Sequence, residues 1–581
     1  MHKLKQNFLK YYLTESEKLN WKTKPKKIIK YHDNNKFEWF PDGKINVYQN
    51  CISDHVKKNK SKIALITVGA DKKIKNYKYF EIDKKVNHMS AYLKKISKSK
   101  NDFKVMLYAS ASIESAVIML ACSKIGLHFS VIFQELESLG ILNRIRLFKP
   151  DIFFSRLSKK DFKNKFNLKF KKKIKFVFQE QIEKIIHNKI KIKSPKNNFV
   201  KSDKNFFTLF TSGSTGAPKG ITHSTGGYLL YTKLTCEKQF GMNKNSIVLT
   251  ASDAGWINGH TYSLFGPLIF GATTILVEKP ISLIDLNLLK KILKLKTSII
   301  YLPVTLLRLI KSLDKKMNIQ KKYIKAIGSM GEPLAPSVGK WFAKNFLKYD
   351  SSIVNTYFQT ETGGIICSPR YNQNIRKVPH GSVGQPLSKF LKIIPLDTKK
   401  VKEIKVTTPW PGMMKNVING KKEWNKYWDK KGNFKLFDLA TKKKDNIFIH
   451  GRKDDVINIR GHRIGSEEIE STVLKINKVV ECCVITLNDY LEGAKIFLFI
   501  VSKKNLDHEI EKILISTFGT YAIPKKIYYI SQIPKTRSGK ILRRLIRNIL
   551  ENPKLKNYGD TSTILNYKSL ENVKNAILRN G

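Results

Sequence analysis

The middle of the chain alternates between short β-branched runs and longer segments with helical periodicity. Residues 272–277 (Ala-Thr-Thr-Ile-Leu-Val) are typical of a buried strand, because β-branched side chains fit a pleated sheet. The next segment, Asp285–Lys296, places four apolar residues on one face of a helix: Leu286, Leu289, Ile292 and Leu293. The alternation continues through further strand and helix candidates: Ser298–Tyr301, Thr305–Leu313, Lys325–Gly328, Ser337–Leu347 and Ser352–Tyr357. This order predicts an α/β architecture with a substantial parallel sheet, in which ligands bind at the carboxyl ends of the strands.

The most apolar stretch of the chain is Ser115–Phe133. It contains Lys124 and His128, and Gly126 divides it into two parts. This pattern predicts a buried helix followed by a strand and argues against a membrane span.

The character of the sequence changes near residue 453. Residues 495–501 and 526–530 are typical of strands, whereas His508–Phe518 and Lys540–Leu550 have helical patterns. These elements suffice for a small α+β domain. We therefore predict a large domain over residues 1–453 and a small domain over residues 454–581, with the boundary in a charged segment at Lys453–Asp454.

The 581 residues carry a formal net charge of +62, which raises nucleic acid as a partner. The lysines, however, are spread along the whole chain and occupy predicted helix faces such as Lys290 and Lys294. Nucleic-acid-binding proteins concentrate their charge and combine it with aromatic platforms. The pattern favours a lysine-rich composition, and we expect neither a nucleic-acid nor a membrane partner, although the field attracts small anionic ligands.

The cysteines are irregularly spaced and include no Cys-x-x-Cys pair. This excludes the usual patterns of a zinc site or a disulfide framework. The polar segment Met1–Trp21 lacks the apolar core of a signal peptide. Both features predict a reducing, cytoplasmic setting for a chain whose six cysteines are Cys51, Cys122, Cys236, Cys367, Cys482 and Cys483.

A segment rich in glycines and hydroxyls, Thr211–Gly220, directly follows the apolar run Asn205–Phe210. Glycines let backbone N–H groups approach a phosphate, hydroxyls donate to phosphate oxygens, and Lys219 adds a point charge. The spacing differs from that of the Walker loop. The segment predicts a phosphate-binding loop, and a Ser/Gly-rich surface loop is the alternative. The residues that would contact phosphate are Thr211, Ser212, Gly213, Ser214, Thr215, Gly216 and Lys219.

Two further turns follow predicted strands. Gly328–Pro333 offers a backbone along which a flat base can lie, with an ordinary turn as the alternative. In Thr356–Gly364, Glu361 stands between two threonines and before two glycines. A carboxylate beside hydroxyls can hold Mg²⁺ together with phosphate oxygens, although a polar turn accounts for the residues equally well.

Charged residues near the end of the chain form a second group of candidates. Asp438 can accept hydrogen bonds from ribose hydroxyls. Arg452 and Arg463 stand on either side of a pair of aspartates, in what is otherwise a solvated linker. Lys540 follows Gly539 in Pro534–Lys540, where an exposed lysine is usually only solvated.

Taken together and in this order, these motifs resemble the adenylate-forming superfamily, and within it the acetyl-CoA and propionyl-CoA synthetase group. The Gly-Trp-x-x-Gly-His-x-Tyr signature within Ser252–Tyr262 is specific to this short-chain group. The resemblance runs over nearly the whole chain and includes Trp39–Asn46, Asn50–His55, Trp410–Gly412 and Gly559–Ile564.

The resemblance implies a large multi-sheet N-terminal adenylation domain and a small mobile α+β C-terminal domain that pivots at Asp454. It implies an ATP-dependent short-chain acyl-CoA synthetase that uses ATP, Mg²⁺ and coenzyme A. A carboxylate attacks ATP to give acyl-AMP and pyrophosphate, and the thiol of CoA then displaces AMP. In some relatives, acylation of the lysine that matches Lys540 controls activity. Here, acylation of Lys540 would remove the charge that serves the first step.

The resemblance also assigns residues. The expected catalytic residues are Lys540, Glu361, Arg463 and Asn458, with Glu361 also holding the magnesium ion. Besides the phosphate loop, the expected nucleotide contacts are Gly331, Glu332 and Pro333 at adenine, Asp438 and Arg452 at ribose, and Tyr357, Phe358, Gln359 and Thr360 between them. The expected CoA contacts are Arg460, Gly461 and, in place of the family's missing Arg-Gly-Gly-Arg segment, Arg156.

The acyl pocket departs from the family pattern. Its expected residues are Trp256, Ile257, Asn258, Met330 and Phe358. Acetate enzymes carry tryptophan where Phe358 stands, so the floor is deeper here, while the flexible Met330 takes space back. One methylene changes discrimination by only about 1–3 kcal/mol, so acetate and propionate or a similar C3–C4 acid remain open. A carrier protein or an amine is the alternative acyl acceptor.

Overall fold

The computed structural model describes the chain apart from residues 1–5, 99, 101, 135, 137, 167–173, 189–192, 213–217, 314–318, 320, 349–351, 395, 399–400, 419, 453–455, 460–461, 490–492, 537–538, 555–557, 559–560, 562–563 and 581. Among the described residues, no helix is both long enough and apolar enough to cross a membrane.

The helices are α1 (Gln6–Ser16), α2 (Asp54–Asn59), α3 (Tyr79–Ser97), α4 (Ile113–Ile125), α5 (Ser138–Phe148), α6 (Lys159–Lys165), α7 (Gln179–Ile186), α8 (Thr225–Phe240), α9 (Gly266–Ile269), α10 (Leu286–Lys294), α11 (Val304–Ser312), α12 (Pro336–Phe346), α13 (Lys421–Asn425), α14 (Ser466–Val473), α15 (Asp507–Phe518), α16 (Arg543–Glu551) and α17 (Lys568–Asn580).

The strands up to residue 250 are β1 (Trp21–Thr23), β2 (Ile29–His32), β3 (Lys36–Trp39), β4 (Lys44–Ile45), β5 (Ile63–Val68), β6 (Ile74–Lys78), β7 (Lys104–Tyr108), β8 (His128–Ile132), β9 (Ile152–Ser155), β10 (Lys175–Val177), β11 (Val200–Lys201), β12 (Asn205–Ser212), β13 (Pro218–Ser224) and β14 (Ile247–Thr250). Those that follow are β15 (Thr273–Val277), β16 (Ile299–Pro303), β17 (Ala326–Met330), β18 (Val354–Asn355), β19 (Cys367–Ser368), β20 (Gln385–Pro386), β21 (Lys402–Val406), β22 (Asn416–Val417), β23 (Phe434–Lys443), β24 (Asn446–Arg452), β25 (Val456–Ile459), β26 (His462–Gly465), β27 (Glu481–Asp489), β28 (Gly493–Val501) and β29 (Lys526–Tyr529).

Two seven-stranded sheets organise the large lobe, which we define as residues 6–452. The first has the order β10-β9-β7-β8-β12-β13-β22 and is parallel as far as β12. The second has the order β18-β17-β16-β14-β15-β5-β6 and is parallel except for β6. This confirms the α/β prediction.

The small lobe, residues 456–580, carries its own cores on both faces of the sheet β27-β28-β29. Successive strand residues point to opposite faces, so Cys482 and Val484 pack in one core while Cys483 and Ile485 pack in the other. Helices α14 and α15 cover the first face, and α16 and α17 cover the second. The predicted boundary at Lys453–Asp454 lies outside the described residues and stays a prediction.

Several element bounds differ from the sequence expectations. The helix predicted from Lys540 begins at Arg543, because residues 535 and 541 form a β-bridge before it. The strand predicted over Ser352–Tyr357 is reduced to Val354–Asn355. The described residues of the phosphate motif lie in the antiparallel strands β12 and β13, where Thr211 pairs with Lys219.

Candidate active site

Three neighbouring parallel strands deliver the candidate residues to one sheet edge. β16, β17 and β18 are adjacent and in register, with Pro303 opposite Met330 and Ser329 opposite Asn355. Their carboxyl ends therefore lead into α11, into Gly331–Pro333 and into Thr356–Thr362, side by side. This is the edge at which parallel α/β sheets bind ligands.

A buried carboxylate on strand β23 of another sheet lies beside the segment that follows β18. Asp438 Oδ2 accepts hydrogen bonds from Tyr357 Oη at 2.7 Å and from Gln359 Nε2 at 2.6 Å, and Arg452 Nη1 lies 3.8 Å from its Oδ1. Burial raises the pKa of Asp438, while the charges of Arg452 and Lys540 and the two hydrogen bonds oppose that rise. The structure thus brings together five predicted residues from three parts of the chain: Tyr357 and Gln359, Asp438 and Arg452 on the hairpin β23–β24, and Lys540.

The Glu361 carboxylate is oriented by a tyrosine that the sequence analysis missed. Tyr427 Oη donates to Glu361 Oε1 at 2.8 Å. Burial raises the pKa of the Tyr427 hydroxyl, and the Glu361 carboxylate raises it further, so the hydroxyl keeps its proton and donates. A carboxylate held in this way suits Mg²⁺, which binds one or two carboxylates and completes its shell with phosphate oxygens and water.

The turn that carries Glu361 is also held through its main chain. His223 Nε2 lies 2.8 Å from the Thr360 carbonyl oxygen, and Trp410 Nε1 donates to the Thr362 carbonyl at 2.9 Å. Burial lowers the pKa of His223 to about 4, so the ring is neutral near pH 7. Gly363 has φ +69°, and a Cβ there would lie 2.1 Å from the Gly412 carbonyl oxygen. The position of the turn is therefore set by contacts with residues far from it in the sequence.

The described part of the phosphate motif lies close to the Glu361 turn. Residues 213–217, which include Gly213, Ser214, Thr215 and Gly216, lie outside the described residues, as does the Ser212 side chain; Thr211 is half-buried in β12. Lys219 Nζ lies 3.3 Å from Glu423 Oε2 and 5.7 Å from the centre of the Tyr427 ring. Tyr427 thus joins Lys219 to Glu361.

The predicted adenine turn follows β17 directly. Gly331 has φ +90°, a conformation that favours glycine. Glu332 Oε2 accepts a hydrogen bond from Arg308 Nη1 at 2.9 Å. Arg308 lies on α11, and no sequence motif indicated that it would contact this turn.

The predicted acyl-pocket residues divide into two groups. Met330 is buried in a cluster against which Phe358 packs, and the Phe358 and Tyr262 ring centres are 5.8 Å apart. Ile257 lies in a neighbouring cluster that Phe358 also contacts. Trp256 lies apart and stacks on a phenylalanine, Phe133, at 5.3 Å. The buried Oδ1 of Asn258 has no hydrogen-bond partner among the described residues.

The small lobe presents Lys540 to the large lobe on a tight turn. Thr536 N donates to the Lys540 carbonyl at 2.7 Å, and Gly539 N donates to the Thr536 carbonyl at 2.8 Å. Gly539 lies so close to Thr305 of α11 that a Cβ on Gly539 would be 2.0 Å from Thr305 Oγ1. Lys540 is exposed, and its charge acts on Asp438 across the boundary between the lobes.

Other predicted residues are described in part or lie outside the described residues. Asn458 and Arg463 face each other in the hairpin β25–β26, of which only the backbone is described. Asp454, Arg460 and Gly461 lie outside the described residues.

Arg156, the predicted CoA contact, is engaged inside the large lobe. Its Nε lies 3.2 Å from Glu114 Oε2, and its Nη1 lies 2.8 Å from Glu278 Oε1 and donates to Ser110 Oγ at 2.8 Å. Two carboxylates already balance its charge, which argues against a phosphate contact.

Three family models match the chain, one after another along its length. The model for AMP-binding enzymes matches residues 52–409, that for the AMP-binding enzyme C-terminal domain matches residues 468–540, and that for the acetyl-coenzyme A synthetase N-terminus matches residues 2–51.

Among its relatives is the acetyl-coenzyme A synthetase of Helicobacter pylori (strain P12), 31% identical over 92% of this chain and 88% of that protein. Acetyl-coenzyme A synthetase 1 of Candida glabrata is 31% identical over 91% of this chain and 82% of its own length.

Solved structures share the fold. The acetoacetyl-CoA synthetase from Streptomyces lividans matches with a TM-score of 0.80 at 16% identity, over 98% of this chain and 92% of that one. The anthranilate CoA ligase AuaEII, in complex with anthranoyl-AMP, matches with a TM-score of 0.72 at 18% identity, over 86% and 96% of the two chains. The chain therefore belongs to the adenylate-forming superfamily of AMP-binding enzymes and, within it, to the acetyl-CoA and propionyl-CoA synthetase group.

Proposed function

We propose that the protein is an AMP-forming short-chain acyl-CoA synthetase that converts a carboxylate, ATP and CoA into acyl-CoA, AMP and pyrophosphate. The main support is the meeting of Asp438, Tyr357 and Gln359 with the charge of Lys540 at one sheet edge. A lysine from the small lobe, acting on a site built by the large lobe, suits a reaction that develops negative charge on a bound nucleotide.

In the first step, Asp438 would bind the ribose hydroxyls, with Arg452 beside it. Gly331, Glu332 and Pro333 would lie along adenine, and Tyr357, Phe358, Gln359 and Thr360 would line the space between base and phosphates. Thr211–Gly216 and Lys219 would bind the phosphates. Glu361, oriented by Tyr427, would hold Mg²⁺, which neutralises phosphate charge when bound.

The chemistry needs positioning more than covalent help from the protein. As the carboxylate oxygen attacks the α-phosphorus, negative charge builds on the phosphate oxygens while pyrophosphate leaves. Lys540 would stabilise that charge, as a preorganised donor does in an oxyanion hole, which is worth about 2.7–4 kcal/mol. Arg463 and Asn458 would assist from the neighbouring hairpin β25–β26.

In the second step, the small lobe would rotate about Asp454 and present a different face to the acyl-adenylate. Arg460 and Gly461 would then border the path of the CoA thiol. Lys540 would leave the site, so different residues would serve the two half-reactions in turn. Arg156 contributes no phosphate contact in this scheme, because Glu114 and Glu278 already pair with it.

Acetate is the acid that we propose first, and propionate or another C3–C4 acid is the second candidate. The relatives named acetyl-coenzyme A synthetase support acetate. Phe358 and Met330 would line the acyl pocket, with Ile257 near them. Small differences in the depth of this pocket would then decide between acetate and a longer acid. Trp256, stacked on Phe133, would act on the pocket from outside.

We further propose a reducing, cytoplasmic setting, which the burial of all six cysteines, none of them in a disulfide, supports. Acylation of the exposed Lys540 would remove the charge needed for adenylation and would provide a control point.

The test is to incubate the protein with ATP, Mg²⁺, CoA and a panel of C2–C4 acids and to measure AMP and pyrophosphate. We expect acid-dependent release of both products, with the highest kcat/KM for acetate. ADP and phosphate as products, or no acid-dependent turnover, would refute the proposal. Acid-dependent AMP release that does not require CoA would instead identify a carrier protein or an amine as the acceptor.

A further inference from the structure

One face of helix α11 forms a docking surface for the small lobe. Because Pro303 and Met330 are in register on adjacent strands, α11 begins beside the turn Gly331–Pro333. Thr305 and Arg308 are three residues apart and therefore share a face of this helix. Thr305 meets Gly539, the residue before Lys540. The same face thus touches the turn that delivers the catalytic lysine.

Arg308 pairs with the candidate nucleotide turn on one side. Its Nη1 donates to Glu332 Oε2 at 2.9 Å, and the two side chains are only 12% and 13% exposed. An ion pair this well shielded keeps more of its electrostatic strength than a surface pair does.

On its other side, Arg308 acts on a buried carboxylate of the small lobe. Glu470 on α14 accepts two hydrogen bonds of 2.7 Å from Arg543 Nη2 and one of 2.8 Å from Val484 N. Burial raises the pKa of Glu470, and the positive charges of Arg543 and Arg308 oppose that rise. Arg543 opens α16, three residues after Lys540.

We propose that Arg308 is a positioning residue that holds the small lobe in its adenylating orientation, bridging Glu332 beside the nucleotide and the Glu470–Arg543 pair behind Lys540. This inference rests on the proposed function and deepens it. Rotation of the small lobe for the second step separates Glu470 from Arg308, so the bridge serves only the first half-reaction. The contact with Glu332 also links the position of the nucleotide turn to the docking of the lobe.

The test compares the two half-reactions in Arg308→Met, Arg308→Lys and wild type. Acetate-dependent exchange of pyrophosphate into ATP reports adenylation, and CoA-dependent consumption of supplied acetyl-AMP reports thioester formation. Arg308→Met removes the charge at similar length and should slow exchange by roughly tenfold or more, with thioester formation changed by less than about threefold. Arg308→Lys, which keeps the charge, should restore part of the exchange rate.

Arg544→Met is the matched control, because Arg544 is exposed on α16. It should leave both rates unchanged. If Arg308→Met does not fold, Glu470→Gln tests the same bridge from the other lobe and should show the same split. Equal loss in both half-reactions, or unchanged exchange in Arg308→Met or in Glu470→Gln, overturns the inference. A wild-type protein inactive in both half-reactions overturns the proposed function and this inference with it.

Discussion

Replacing Gly539 with alanine should separate the two half-reactions through the docking of one turn. Gly539 has φ +87°, where an L-residue is strained by about 1–2 kcal/mol. The added Cβ would lie 2.0 Å from Thr305 Oγ1, 2.8 Å from Cγ2 and 2.9 Å from Cβ. No rotation of the threonine side chain relieves all three contacts, so the turn must move away by about 1 Å or more. A displacement of about 1 Å at a reacting group costs roughly 100-fold in rate.

We therefore expect Gly539→Ala to reduce acid-dependent pyrophosphate exchange by about 100-fold, while thioester formation from supplied acyl-AMP falls by less than about threefold. We expect this split because the proposed rotation of the small lobe for the second step would separate Gly539 from Thr305 and remove the clash. Adding Thr305→Ala to Gly539→Ala removes Oγ1 and Cγ2 and should raise the exchange rate at least tenfold above that of Gly539→Ala alone. The effects of the two substitutions would then be non-additive, as is typical of residues in contact. Wild-type exchange in Gly539→Ala, equal loss of both half-reactions, or strictly additive effects would refute the reasoning.

The remaining predictions concern stability, magnesium and the acid. Burial lowers the pKa of His128, His223 and His260 to between about 3 and 4. As the pH falls below about 6.5, these histidines take up protons in the unfolded chain but not in the native state, so the free energy of unfolding falls. Between pH 7.5 and 5.5 this should lower the free energy of unfolding by about 1.4 kcal/mol for each histidine, measured by urea unfolding; an unchanged or higher value at pH 5.5 would contradict it. Tyr427→Phe removes the hydrogen bond to Glu361 and should raise the Mg²⁺ concentration for half-maximal adenylation by roughly 10-fold or more, whereas an unchanged Mg²⁺ titration would exclude this role. Phe358→Trp should make the pocket shallower and raise the acetate-to-propionate ratio of kcat/KM by about 10-fold to 200-fold; a constant ratio would place the pocket floor elsewhere.

Local sequence signals predicted the elements that local physics determines. The helix expected over Asp285–Lys296 is α10, with Asp285 as its N-cap, because leucines at helical spacing and a capping carboxylate act within a few residues. The apolar stretch Ser115–Phe133 divides at Gly126, whose φ of +71° ends α4 before β8 begins.

Contacts between distant residues could not be predicted in this way. The helix expected at Lys540 begins three residues later, because residues 535 and 541 form a β-bridge before it and Thr536 is bridged to the distant Ile564. Tyr427 and Arg308 lie in segments without a recognisable motif and gain their roles only because folding brings them to Glu361 and Glu332. The sequence therefore indicated candidate residues that the fold brings together, such as Asp438 and Tyr357, but not the side chains that contact Glu361 and Glu332.

The two separate cores of the small lobe bear on the populations of the two orientations that we propose for this lobe. Because both faces of the sheet β27-β28-β29 are covered by the lobe's own helices, the proposed rotation of the lobe would uncover neither of these two cores. The contacts that the proposed rotation would break include those that the small lobe makes with α11 and with β24. Substitutions at those contacts should redistribute the population of orientations while leaving the melting temperature nearly unchanged, so the balance of the catalytic cycle can be tuned independently of the robustness of the fold.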